Sequence, residues 1–130
     1  MGTFDVQKER NALQTKYNEE MRKNEQDMSD LDKQRRDLEE KRNALFAAKK
    51  EAASYFNMIH NDFRGREAVE DTRELEELNA KFQHESRRAE QDFEQEHLDI
   101  ERNRKKLQYQ RDENERNYRR ALNDVKEERK

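Results

Sequence analysis

The chain has 130 residues, of which 47% are charged and 29% hydrophobic, and its 29 basic and 32 acidic side chains leave a net charge of −3. That balance disfavours a generic binder of nucleic acid or anionic membranes, and the absence of cysteine excludes disulfides and thiol chemistry. The sequence has no apolar run long enough to span a bilayer and no apolar segment of a secretory signal peptide near its start. We therefore expect a single-domain cytoplasmic protein without membrane insertion and without a wide globular core.

The first half of the chain predicts one long α-helix, from about residue 4 to residue 63. Its apolar residues follow alternating steps of four and three, the spacing that aligns one side of a supercoiled helix. We call this row of positions the seam. In the first helix the seam consists of Tyr17, Met21, Asn24, Met28, Leu31, Arg35, Leu38, Arg42, Leu45, Lys49, Ala52, Phe56, Ile59 and Phe63.

The helical pattern is interrupted once, near the middle of the chain. Gly65 is the only glycine beyond Gly2, and the sequence has no proline. Because glycine adopts the left-handed conformation that ends a helix, Gly65 fits the position just past the first helix. The sequence predicts a turn over about residues 64–71.

The start of the second helix has two interpretations. Asp71 and Glu74 match a capping box, which predicts a start near Thr72. Alternatively, Glu67 and Glu70 already lie in the first turn, where acidic residues are favourable, so that the helix begins near residue 68. A connection of either length makes the two helices antiparallel neighbours.

The second helix is expected over about residues 68–127. Two steps of four occur together at Ala89, Phe93 and His97, a stutter that locally unwinds a supercoil. The predicted fold class is all-α: an antiparallel two-helix hairpin, coiled-coil-like, that completes a larger helical bundle with a partner. The seam of the second helix consists of Leu75, Leu78, Phe82, Ala89, Phe93, His97, Ile100, Arg104, Leu107, Arg111, Asn114, Tyr118, Ala121 and Val125.

Polar residues interrupt both seams, among them Arg42 and Lys49 in the first helix and Arg104 in the second. Long basic side chains can extend from such an interface to water. Polar seam residues commonly set register and partner number at the expense of stability. We therefore expect a weakly held pair of helices.

The most apolar surface of the sequence lies just before the turn and covers more than one face of the first helix. A two-helix hairpin can cover only one of those faces, so we expect the remainder to bind another helix, from a second copy or from a different protein. The alternative is a wider core near the turn that absorbs these side chains. The predicted partner-binding residues are Phe46, Tyr55, Phe56, Met58 and Ile59.

No catalytic, cofactor-binding or metal-binding site is predicted, because two helices offer little concavity. Glu94 and His97 match the Glu-x-x-His pattern of di-iron carboxylate bundles, but that site needs two copies of the motif and further glutamates. The basic run at residues 102–106 is surrounded by acidic residues. A solvated helix face with i, i+4 ion pairs explains it better than nucleic-acid binding.

Phe63-Arg64-Gly65 resembles the Trp-x-Gly turn of the WXG-type helical hairpins handled by type VII secretion, with Phe in place of Trp. In that family the aromatic residue and the glycine lie between two antiparallel helices. The family also carries a C-terminal Tyr-x-x-x-Asp/Glu export signal. Tyr109 and Glu113 match those letters but fall inside the predicted second helix, so the resemblance does not assign export to this chain.

In length and charge the chain is similar to the small helical accessory proteins encoded beside LXG-type toxins. The resemblance implies a non-enzymatic targeting factor or chaperone that binds the helical N-terminal domain of a toxin, together with a sister small helical protein. It implies that Phe63 and Gly65 are the turn determinants. Homodimer formation and export together with the partner are both left open.

Two alternatives follow from the helical-hairpin pattern. One is a stalk-like component of an export apparatus, similar to the coiled-coil rod of type III and flagellar export ATPases. The other is a homo-oligomeric coiled-coil scaffold. A stalk would bind a ring ATPase, and its apolar surface would not need to concentrate at the turn.

Overall fold

A computed structural model describes residues 3–63 and 69–127 of the chain. Helix α1 runs over Thr3–Phe63 and helix α2 over Val69–Glu127, and the two pack against each other as an antiparallel hairpin. Glu, Lys, Arg and Gln are good helix formers, and no proline interrupts either segment. The predicted all-α hairpin is confirmed.

The first residue of α2 decides between the two predicted starts of this helix. Helix α2 begins at Val69, so residues 69–71 are already helical, and the start near Thr72 is wrong. Helix α1 ends at Phe63. Gly65, proposed as the residue that ends α1, lies outside the described residues, and so does the side chain of Phe63.

The hairpin divides into two compact units, each containing a piece of both helices. We call residues 35–63 with 69–99 the turn unit, and residues 3–34 with 100–127 the terminal unit. The core of each is narrow. The buried apolar side chains of the described residues are Leu38 in the turn unit and Leu31 and Ile100 in the terminal unit.

The terminal unit adds polar and aromatic contacts to this core. Asn24 is only 4% exposed, and its Nδ2 donates a hydrogen bond of 2.8 Å to the carbonyl oxygen of Leu107 on the other helix. The rings of Tyr17 and Tyr118 stack with their centroids 4.4 Å apart and their planes 11° from parallel. Each contact joins α1 to α2 at one register, because a shift of either helix would break it.

The predicted seam agrees with the observed burial at most positions. From Tyr17 to Ile59, every seam residue of α1 is buried or half-buried except Arg35. In α2 the exceptions are Leu78 and Arg111, which are exposed. The stutter is also present, since Ala89, Phe93 and His97 are all half-buried.

The prediction that Leu78 lies in the seam is wrong, and the reason is physical. It is 56% exposed, whereas the neighbouring Asn79 is half-buried and Ser86 is buried. The row that faces α1 therefore steps from Leu75 to Asn79, Phe82, Ser86 and Ala89, in strict alternation of four and three. Hydrophobicity favoured Leu78 in the sequence, but the helical period places Asn79 on the packed side.

Basic seam residues form ion pairs across the hairpin. Arg42 Nη2 lies 3.0 Å from Glu94 Oε2, and Lys49 Nζ lies 2.5 Å from Glu90 Oε1. In the terminal unit, Arg104 Nη2 lies 3.6 Å from Asp32 Oδ1. The aliphatic parts of these side chains cover the seam, while the charged ends reach partners at its edge.

Glu90→Gln is expected to lower the free energy of unfolding by less than about 1 kcal/mol, because half-exposed ion pairs contribute about 0.2–1 kcal/mol. Urea unfolding followed by circular dichroism measures the change. The difference from wild type should disappear near 1 M NaCl, where the Debye length is about 3 Å. Glu77→Gln, which removes the more exposed i, i+4 pair with Arg73, is the control and should change less. A loss of stability that does not depend on salt would contradict the assignment of an ion pair between Lys49 and Glu90.

Candidate partner-binding surface

Three of the five predicted partner-binding side chains are exposed. Phe46 is 62% exposed, Tyr55 54% and Met58 56%. Phe56 and Ile59, the other two, are seam residues and are half-buried. The hairpin therefore leaves three large apolar side chains in water within a short stretch of α1. No contact in the structure tests whether a partner covers them.

Phe56 already has a neighbour within the hairpin. Its ring centroid lies 6.5 Å from that of Phe82 on α2, at an interplanar angle of 54°. The ring of Tyr55 meets Phe56 edge-on at 6.0 Å. Aromatic pairs at these distances and angles are favourable. Phe56 thus helps to hold α1 to α2, and its exposed portion is what remains for a partner.

Phe46 borders a depression of about 250 Å³ between the helices of the turn unit. Leu45 and Phe93 supply its apolar side chains, and both are half-buried. Arg42, Glu90 and Glu94 supply the charged ones. The Nζ of Lys50 lies 4.8 Å from the centroid of the Phe46 ring, a cation–π distance that fixes one face of the ring.

The apolar side chains of this depression lie between side chains of both charges. Arg42 is paired with Glu94 and Lys49 with Glu90 at its edge. A helix that presents one apolar side chain, with polar neighbours a turn away, could place that side chain against Phe46 and Phe93. The flanking ion pairs would then restrict which charges such a helix can carry.

Tyr55 and Met58 belong to a different side of α1. Tyr55 follows Phe46 by nine residues, which is about two and a half helical turns and puts the two side chains on opposite faces. Met58 lies one turn after Tyr55 and close to it on the helix surface. The sequence grouped these residues as one partner-binding set, whereas the structure separates them into two flanks of the hairpin.

The described residues show no constellation of metal ligands. Within the described ranges, no group of three His, Cys, Asp or Glu side chains lies close enough to hold a metal ion. Glu94 of the Glu-x-x-His pattern pairs with Arg42, and His97 is half-buried in the seam. Neither described helix contains a segment with the length and hydrophobicity that crossing a bilayer requires.

The fold and the surface together define an α-helical hairpin with exposed apolar side chains on two flanks of its first helix. Comparison of the chain with protein-family models, with curated proteins and with solved structures found no match.

Proposed function

We propose that the protein is a non-enzymatic targeting factor or chaperone that binds the helical N-terminal domain of an LXG-type toxin for type VII secretion. A second small helical protein joins the same bundle. The observation that carries the proposal is the exposure of Phe46, Tyr55 and Met58 next to the turn. The resemblance of Phe63-x-Gly65 to the Trp-x-Gly turn supplies the partner class.

The hairpin itself has a small apolar core. Its described residues bury only Leu31, Leu38 and Ile100 among apolar side chains. Removing one large apolar side chain fully from water contributes about 1.5–3 kcal/mol. Covering the exposed parts of Phe46, Tyr55 and Met58 with partner helices therefore adds apolar burial to a hairpin that has few buried apolar side chains of its own.

The depression beside Phe46 is the place where we expect the toxin helix to bind. It combines half-buried Leu45 and Phe93 with two ion pairs across the hairpin. Fully desolvated aromatic side chains surrounded by polar residues are the usual centres of binding energy at protein interfaces. The protein would act in the cytoplasm.

Phe46→Ala is expected to weaken binding of the toxin domain roughly 30-fold, because truncation of a central aromatic residue at an interface commonly costs about 2 kcal/mol. Isothermal titration of the isolated toxin domain into the protein, with and without the sister subunit, measures the affinity. Tyr109→Ala is the matched control, since Tyr109 is equally exposed but belongs to the terminal unit. Its affinity should equal that of wild type.

Two results would contradict the proposal. One is the absence of any complex between the protein and the toxin domain, even when the sister subunit is present. The other is an equal loss of affinity for Phe46→Ala and Tyr109→Ala, which would show that the surface beside the turn has no special part in binding.

A further inference from the structure

Arg10 differs from the other half-buried basic side chains of the hairpin. Among the described residues, the half-buried Lys and Arg side chains are Arg10, Arg42, Lys49 and Arg104. The last three each pair with a carboxylate on the opposite helix. Arg10 forms no ion pair within the described part of the chain. It is therefore partly withdrawn from water without the anion that the other three have.

Arg10 lines a groove of about 440 Å³ between the two helices of the terminal unit. We call it the amide groove, because four of its lining side chains are amides: Gln7, Asn11, Gln14 and Asn123. A second arginine, Arg119, lines its α2 side. None of the described lining residues is Asp or Glu, although 32 of the 130 residues of the chain are acidic.

The amide groove presents donors of hydrogen bonds. The Nε2 of Gln7 donates to the Oδ1 of Asn11 over 3.3 Å, which leaves the Nδ2 group of Asn11 to donate elsewhere. The Nη2 of Arg119 donates to Glu115 Oε1 over 2.7 Å, and a guanidinium group has further N–H groups. Arg10 adds a second guanidinium group. A carboxylate, which only accepts hydrogen bonds and is negatively charged, matches these groups.

The opposite flank of the terminal unit has a different charge pattern. A depression of about 240 Å³ on that flank is lined by Lys16 and Glu20, one side chain of each sign. Tyr118 borders both this depression and the amide groove. Of the two, only the amide groove lacks an acidic side chain among its described lining residues.

The form of the amide groove favours a helix as its occupant. On α1 its lining positions are 7, 10, 11 and 14, which is the i, i+3, i+4, i+7 spacing of a face that packs against another helix. On α2, half-buried Tyr118 and Leu122 supply apolar surface. Two neighbouring antiparallel helices commonly pack against a third helix along such a groove.

We infer that the amide groove binds an acidic helix of a partner protein, with an apolar side chain against Leu122 and a carboxylate on Arg10. The planar guanidinium group donates two parallel hydrogen bonds to a carboxylate. A basic helix is disfavoured, because it brings like charge to Arg10. The inference goes beyond the toxin proposal, which uses Phe46 of the turn unit, because the amide groove belongs to the terminal unit.

Heteronuclear NMR of the full chain tests the groove directly, because side-chain amide groups and arginine Nε–H groups give their own signals. The probe is an alanine-rich helical peptide with one Leu and with Glu four residues before it and three residues after it, all on one face. We expect a dissociation constant of about 0.1–1 mM. The same peptide with Gln in place of Glu should bind roughly ten-fold more weakly. The Glu peptide should shift the side-chain signals of Gln7, Arg10, Asn11, Gln14 and Asn123.

Arg10→Gln should weaken binding of the Glu peptide roughly ten-fold, the loss expected for one charge-assisted hydrogen bond. Arg10→Lys keeps the charge but not the fork of donors, so its affinity should fall between those of Arg10→Gln and wild type. Lys16→Gln is the matched control, since it removes an exposed positive charge from the opposite flank. Its affinity should stay within about two-fold of wild type. Circular dichroism checks that each variant is still helical.

Equal binding of the Glu and Gln peptides would overturn the inference, as would an equal loss of affinity for Arg10→Gln and Lys16→Gln. No shift up to about 5 mM peptide would overturn it as well. Shifts of the same amide signals that depend on protein concentration, without peptide, would show that a second copy fills the groove and would also overturn it. The test uses neither the toxin domain nor the sister subunit, and Phe46→Ala should leave peptide binding unchanged. Failure of this inference is therefore distinguishable from failure of the toxin proposal.

Discussion

Leu38→Ala is expected to lower the free energy of unfolding by about 3 kcal/mol, within the 2–5 kcal/mol typical of a buried Leu→Ala change. Leu38 is only 2% exposed, and it is the one buried apolar side chain of the turn unit among the described residues. Few other contacts can compensate for its loss. Guanidinium unfolding followed by circular dichroism at 222 nm measures the change.

Leu78→Ala is the matched control for Leu38→Ala. The same side-chain atoms are removed from the same unit, but Leu78 is 56% exposed. The free energy of unfolding of the Leu78→Ala variant should stay within about 0.5 kcal/mol of the wild-type value. Equal losses for the two variants would contradict the observed packing, because the sequence pattern alone places both leucines in the seam.

Asn24→Leu is expected to raise the free energy of unfolding by about 1 kcal/mol, because the gain from burying an apolar side chain exceeds the net value of one hydrogen bond. Asn24 is buried and donates to the carbonyl oxygen of Leu107. That carbonyl oxygen keeps its hydrogen bond within α2. The second expected effect is a loss of specificity, because a buried asparagine fixes register and partner number at the expense of stability.

Both effects of Asn24→Leu are measurable on one preparation. Chemical unfolding gives the stability, and sedimentation velocity gives the distribution of assembly sizes, which should broaden towards larger species. Asn103→Leu is the control because Asn103 is exposed in the same unit; it should leave stability unchanged. A destabilised Asn24→Leu variant would show that the hydrogen bond to Leu107 contributes more than the apolar contact.

Periodicity alone was sufficient to predict the hairpin. Steps of four and three recur along both halves, the chain lacks proline, and Gly65 marks one interruption. The stutter at Ala89, Phe93 and His97 can also be predicted, because two consecutive steps of four occur in the sequence. These features can be predicted without knowledge of tertiary contacts because they depend only on the helical repeat.

The errors arose where hydrophobicity and helical period disagreed. Leu78 matches the seam in the sequence because it is apolar, whereas Asn79 and Ser86 do not stand out because they are polar or small. Small and amide side chains can lie between two closely packed helices when the period puts them there. Strict counting back from Ala89 in steps of three and four would have found both.

The candidate surface was only partly predictable. The apolar excess around Phe46, Tyr55 and Met58 is visible in the sequence, and all three side chains are exposed in the structure. Their division between two flanks follows from a nine-residue spacing that composition does not reveal. The depression beside Phe46 depends on side chains from α2, such as Glu90 and Phe93, and no local pattern brings those to it.

Hydroxyl-radical footprinting of the unmodified protein tests the exposed surface directly, because the radical oxidises exposed Phe, Tyr and Met side chains. In the dilute, isolated chain Phe46, Tyr55 and Met58 should react as fast as Tyr109 once each rate is corrected for the intrinsic reactivity of its side-chain type. In complex with the toxin domain Phe46 should be protected about ten-fold, because residues at the centre of an interface are shielded from water, while Tyr109 stays reactive. Slow oxidation of all three side chains in the dilute chain, or a Phe46 rate that the toxin domain does not change, would contradict the claim that this surface binds other helices.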